Sequence, residues 1–177
     1  MTTLEQAKAL PVGTWTADTV HSEIGFRVDY MAGAFRGTFA SFTAEVVDGK
    51  LHGTADVSSV QVKDPNLEAH LQSPDFFDAE RSPELRFVAE QVERSGNQIA
   101  VRGEITIKGE TRPIELTGTI GDPITDPWGN ERFGLELEGT IDRTAFGIDW
   151  NNPLPSGEPA LANEVKLVAQ LQLVKAA

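Results

Sequence analysis

The sequence contains no cysteine, which removes disulfide staples, thiolate zinc sites and cysteine nucleophiles at once. Positive charge is also scarce: 15 Lys and Arg stand against 27 Asp and Glu, for a formal charge of −12. Such a surface repels phosphate backbones and anionic headgroups at long range, so nucleic acid is not an expected partner, and the acidity itself reads as solubility. No run approaches the ~18 apolar residues of a spanning helix, so stable membrane insertion is not expected either. The start from Met1 to Pro11 lacks a charged segment followed by an apolar core, which does not read as an export signal and sets the cytoplasm as the expected compartment. Histidine is sparse: His21, His52 and His70 form no i, i+2 or i, i+4 pair, so no metal site is expected. A Gly-x-Ser-x-Gly elbow and a glycine-rich phosphate loop are missing too, and no Ser, His and Asp share a recognisable triad setting. No catalytic residues and no catalytic cofactor are expected.

What is present is alternation. The 177 residues, 40% hydrophobic, suffice for one domain over 1–177 with its own core. Leu4 to Leu10 has the pattern of a short amphipathic helix ended by Pro11, after which period two takes over. Apolar residues alternate with polar ones at Ile24-Phe26-Val28, Leu51 to Val57, Ile99 to Ile107, Ile114 to Ile120, Phe133 to Ile141 and Val165 to Leu173, each the pattern of a strand with one buried face. Gly37 to Val47 and Leu85 to Glu93 read as strands whose phase slips, the sign of a bulge. Turn chemistry at Asp48-Gly49, Ser95-Gly96-Asn97, Lys108-Gly109 and Trp128-Gly129-Asn130 joins them as antiparallel hairpins. About eight strands of this kind predict an all-β, closed antiparallel barrel.

Two connections exceed simple turns: Lys63 to Pro83, and Ile148 to Leu161. Long ordered loops carry function disproportionately. In the first, Asp64-Pro65-Asn66 starts a helix that puts Leu67, His70 and Leu71 on one face, and Phe76 and Phe77 follow. This segment is expected to lid the barrel. Asp75 is expected to cap a helical turn, with Asp78 or Glu80 facing water. Trp15 and Trp128 are expected at barrel ends, with Trp150 closing a mouth.

The expected inward faces also carry small residues: Gly53, Ala55, Gly103, Gly118, Gly139 and Ala169 share the parity of the Leu, Ile and Val positions. An eight-stranded barrel is just wide enough to be filled by side chains, so this trimming predicts an apolar cavity and a long, greasy ligand. On that reading Gly118→Phe or Gly139→Phe should block it.

Four motifs together resemble those of the YceI-like family of polyisoprenoid-binding, lipocalin-like proteins. They are Trp15-Thr16-Ala17-Asp18-Thr19-Val20-His21-Ser22-Glu23-Ile24-Gly25-Phe26; His70-Leu71 through Asp75-Phe76-Phe77-Asp78; Gly103-Glu104-Ile105-Thr106-Ile107-Lys108-Gly109-Glu110-Thr111-Arg112-Pro113; and Ile141-Asp142-Arg143-Thr144-Ala145-Phe146-Gly147-Ile148. The resemblance implies an eight-stranded lipocalin-like barrel holding an amphiphile, such as a polyprenyl chain, an isoprenoid quinone or a fatty amide, and a possible homodimer. Where the family often has an Arg-Asp pair before His70-Leu71, this chain has Leu67 and Glu68. Arginine is the side chain best suited to grip phosphate, so its loss favours a quinone or other neutral head unless Lys63, Arg81 or Arg112 compensates.

The expected function is binding, transport or storage of an isoprenoid-type lipid or isoprenoid quinone, without catalysis. Tail contacts are assigned to Phe26, Val28, Phe39, Phe42, Val57, Phe87, Ile105, Leu116, Leu137, Phe146 and Leu167, and the mouth and lid to Leu67, His70, Leu71, Phe76 and Phe77. Strands tilted by ~40° make a barrel roughly 25 Å tall, so a long chain must bend or protrude. The alternatives are a lipid-modifying enzyme using His21 or His70, and a stress-protective protein with a filled barrel.

Overall fold

The structure, a computed structural model, describes residues 9–176. The helix expected from Leu4 falls on residues before Ala9 and lies outside the described residues; Ala9 and Leu10 are themselves buried. The strands are β1 (Thr14–Ala17), β2 (Glu23–Tyr30), β3 (Gly33–Phe39), β4 (Phe42–Val47), β5 (Lys50–Asp56) and β6 (Val60–Gln61). After helix α1 (Pro65–Gln72) come β7 (Glu84–Ser95), β8 (Gln98–Ile107), β9 (Glu110–Ile120), β10 (Ile124–Thr125), β11 (Glu131–Asp142) and β12 (Leu161–Lys175).

These strands close an eight-membered antiparallel barrel in the order β11-β9-β8-β7-β5-β4-β1-β12, with β12 returning to β11. Closure agrees with the expected all-β barrel. The hairpin residues do what their chemistry allows: Asp48 and Gly49, and Lys108 and Gly109, all adopt positive φ, which suits a tight turn to the twist of its flanking strands. The slipped phase in Leu85 to Glu93 is a register irregularity between Ala89 and Gln91. That in Gly37 to Val47 is a break at Ala40-Ser41 separating β3 from β4.

The barrel has two unlike ends. At one, β1, β4 and β5 complete the ring, and the interior holds Trp15, Val46, Val101, Phe133, Leu135 and Leu173, none more than 2% exposed. Trp15 packs edge-on to Phe133 at 5.0 Å and donates its indole N–H to the Val12 carbonyl. At the other end β2 pairs along β12, β3 along β2 and β6 along β3, and the ring lacks continuous hydrogen bonding. The β5–β7 ladder stops at Asp56 and Glu84, and the β9–β11 ladder stops at Thr117 and Glu138. Irregular segments fill the first gap with residues 62–83 and the second with residues 143–160.

Ion pairs tie down the outside of the filled end. Arg132 donates to Asp126, Asp18 and Gln172. The hydrogen bond to His21 is the strongest influence on the Asp18 carboxyl, and with Arg132 and the Val20 N–H it lowers that carboxyl to about 2 against the cost of burial. Burial alone would raise Asp126, but bonds from the Asn130 N–H, Arg132 and the Trp128 N–H hold it below the usual carboxylate range. Trp128, expected at a barrel end, projects from this β10–β11 turn and is 77% exposed.

Candidate functional site

A cavity of ≈ 180 Å³ occupies the interior between the filled end and the irregular segments. Its wall comes from every side. β2 and β3 supply Phe26, Val28, Phe35 and Phe39; β7 and β8 supply Leu85, Phe87 and Ile105; β9 and β11 supply Leu116, Leu137 and Ile141; β12 supplies Val165, Leu167 and Ala169. Leu71, Phe76 and Phe77 enter from the first irregular segment, and Arg143 and Ile148 from the second. Leu85, Phe87, Ile105, Leu116, Ile141, Val165 and Leu167 lie on the cavity wall yet stay only half-buried. They are the interior apolar surface that no side chain covers.

Of the residues assigned from the sequence, Phe26, Val28, Phe39, Leu71, Phe76, Phe77, Phe87, Ile105, Leu116, Leu137 and Leu167 line this cavity. Five do not. Phe42 is buried opposite Ala55 in the β4–β5 ladder, and Val57 is fully buried in the short helical turn Val57–Ser59. Phe146 is buried in the turn Arg143–Phe146, which packs on β9 where that strand leaves β11. Leu67 packs against the core from α1. His70 is off the cavity wall, its ring edge-on to that of the lining Phe76. Alternation tells inward from outward but not how far along the barrel a side chain lies, so residues inside the wall and residues facing the cavity look alike.

Small residues trim the cavity wall only in part. Gly53, Ala55 and Ala169 line the cavity, whereas Gly103, Gly118 and Gly139 do not. A Cβ on Gly103 would stand 2.2 Å from the Val88 carbonyl oxygen, one on Gly118 1.7 Å from that of Glu136, and one on Gly139 2.8 Å from that of Glu115. These glycines permit close strand approach. Phe at 118 or 139 would therefore collide with backbone and would not act as a plug for the cavity.

The first irregular segment is built as its sequence suggests at its start. The Asp64 carboxylate accepts from the Asn66 N–H at 2.9 Å, and Pro65 occupies the first turn, where its missing N–H costs nothing. One carboxylate departs from expectation: Asp75 caps no turn but meets His70 Nε2 at 3.1 Å. Of Asp78 and Glu80 it is Glu80 that is exposed, whereas Asp78 is buried, at a φ of 54°. His70 stands edge-on to Phe76 and to Trp150, each at 4.8 Å between ring centres. Phe77 continues the aromatic lining by meeting Phe26 and Phe39, both at 5.9 Å.

Cationic groups on the cavity wall are Arg86 and Arg143. Lys63, Arg81 and Arg112, considered as replacements for the missing arginine, do not line it. Arg86 pairs with Glu84. Arg143, unassigned from the sequence, is 3% exposed and spends its donors on the carbonyls of Ile148, Trp150, Leu161 and Ala162 and on Asn163 Oδ1. Burial lowers its pKa from the ordinary arginine value, while Asp142 and Asp149 pull the other way. The signal available was its place at the end of β11, one alternation step after Ile141. His21, paired with Asp18, lies on the loop between β1 and β2, and neither it nor His70 lines the cavity. Among the described residues no cluster of three metal-ligating side chains occurs and no helix is long and apolar enough to cross a membrane.

Residues 15–173 match the YceI-like domain. A UPF0312 protein of Staphylococcus epidermidis is 32% identical over 168 residues, 88% of this chain and 94% of that one. Among solved structures, Burkholderia cenocepacia BcnA superposes with a TM-score of 0.75 at 24% identity, covering 88% of this chain and 98% of that one. A polyisoprenoid binding domain from Saccharophagus degradans superposes with a TM-score of 0.67 at 10% identity, covering 94% and 100%.

Proposed function

We propose that this chain, which belongs to the YceI-like family, binds the hydrocarbon part of an isoprenoid-type lipid in its barrel and carries or stores it without chemistry. The observation that carries this is the half-buried apolar wall of the cavity. Left empty, the ≈ 180 Å³ leaves this apolar wall without packing partners, which is costly to a domain's net stability. A tail filling it removes that cost and gains ~25 cal/mol for each Å² withdrawn from water. The polyisoprenoid-binding description of the S. degradans domain supports the same ligand class.

The head group is neutral, such as a quinone, in this proposal. Leu67 stands where the family often has arginine, and Arg143 has committed its donors to carbonyls and Asn163. His21 and His70, the histidines of the lipid-modifying alternative, lie off the cavity wall, and His52, which does border it, is paired with Glu45; both observations weigh for a binding protein.

Native mass spectrometry before and after organic extraction tests the proposal. The expected result is one co-purified isoprenoid-type lipid per barrel, recovered unchanged. An unliganded protein that rebinds no isoprenoid, or one that converts it, would contradict it. Preference of the stripped protein for polyprenyl pyrophosphate over a quinone would overturn the neutral-head part.

A further inference from the structure

The route by which a ligand reaches the cavity follows from what closes each end. At the filled end, access would require breaking a hydrogen-bonded ring and displacing Trp15, Phe133 and Leu173, at most 2% exposed. At the other end the wall consists of two irregular segments that line the cavity from within, through Leu71, Phe76 and Phe77 on one side and Ile148 on the other. No strand ladder joins those segments.

Side chains bridge them, in an aromatic stack and in a pair of hydrogen bonds. In the stack, Trp150 lies 4.8 Å from His70 and 5.5 Å from Phe76. The hydrogen bonds come from Lys108, at the tip of the β8–β9 hairpin, whose Nζ donates to the Pro74 carbonyl at 2.6 Å and to the Gly147 carbonyl at 3.3 Å. The bases of the segments are fixed much more firmly. Arg143 ties Ile148 and Trp150 to Leu161 and Ala162, and Phe77 and Ala79 donate to the carbonyls of Leu71 and Gln72. Local opening follows the weakest cooperative contacts. The aromatic stack and the ammonium of half-buried Lys108 are contacts of that kind.

We infer that ligand is admitted and released between these two segments, with Trp150 as the gate side chain against His70 and Phe76, and Lys108 as the tether across the opening. This rests on the lipid-binding reading. Trp150 is absent from the cavity wall, so it controls passage and contributes little to the affinity of a seated tail. Removing a gate contact should speed both directions and leave their ratio nearly unchanged.

The test uses all-trans-retinol, a fluorescent isoprenoid alcohol, with stopped-flow uptake and release measured on the full chain. Trp150→Ala and Lys108→Met should each raise both rates, by about tenfold for the tryptophan, with Kd within about threefold of the parent. Because the chain has no cysteine, His70→Cys with Trp150→Cys can be bridged selectively by a bis-maleimide. The bridged, loaded barrel should hold retinol, and the bridged, empty barrel should take up none on the unbridged timescale. Unchanged rates in Trp150→Ala, a proportional loss of affinity, or free exchange through the bridged protein would overturn the gate. Failure of the parent chain to bind retinol at all would instead strike the lipid-binding reading.

Discussion

The two ends of this barrel are written in the same alternating pattern and come to opposite results. At the filled end, β11, β12, β1 and β4 pair edge to edge, and the inward side chains are large enough to meet at the axis, as Trp15 and Phe133 do. At the open end the ladders stop at Asp56 with Glu84 and at Thr117 with Glu138, and the inward side chains stand apart around ≈ 180 Å³. Cavity formation here owes more to strand divergence than to small residues. Gly118 and Gly139 serve close strand approaches next to that divergence and do not trim the interior: Gly118 sits at the last β9–β11 pairs and Gly139 just beyond them.

The contrast can be broken most forcefully at a close approach. Gly118→Ala should cost roughly 3 kcal/mol or more in urea unfolding because a Cβ would overlap the Glu136 carbonyl. Ala169→Phe, pointing into the cavity, should leave the midpoint close to the parent's and abolish retinol binding. If both variants unfold alike, the two kinds of small residue are not distinct. Truncation comes next: Leu135→Ala, at a site with 0% exposure, should cost about 2–5 kcal/mol, whereas Leu167→Ala, already facing open space, should cost less than about 1.5 kcal/mol. Equal losses would mean that the cavity is filled in solution.

Acid sharpens the contrast on a smaller scale. Asp18 is held at about 2 in the folded chain against an ordinary 3.8, so its contribution is complete above that ordinary value and lost as pH falls through about 2. Asp18→Asn should therefore flatten the acid limb of the Tm–pH curve between about pH 4 and 2, an effect confined to the filled end. The smallest change is expected at Trp128, 77% exposed: Trp128→Ala should shift stability by no more than about 0.5 kcal/mol.

Much of this was legible beforehand. Alternation and turn chemistry marked the long strands, because side-chain parity and positive-φ residues are local properties. The start of α1 was readable for the same reason, through Asp64 and Pro65. What escaped was non-local. Nothing near Phe42 or Val57 tells that they lie inside the packed wall. Arg143 escaped because its partners, Ile148 to Asn163, come together only when a loop closes on itself. The break at Ala40-Ser41 was visible as a slipped phase but not as the point where one sheet edge becomes two.

The central claim is that only one end of the barrel receives the lipid tail. It is tested most directly by intermolecular nuclear Overhauser effects between unlabelled retinol and methyl-labelled protein. Contacts to Ile105, Leu116, Leu137, Val165 and Leu167, with none to Val46, Val101, Leu135 or Leu173, are the predicted result. Contacts to the second group, or to the outer surface alone, would contradict it.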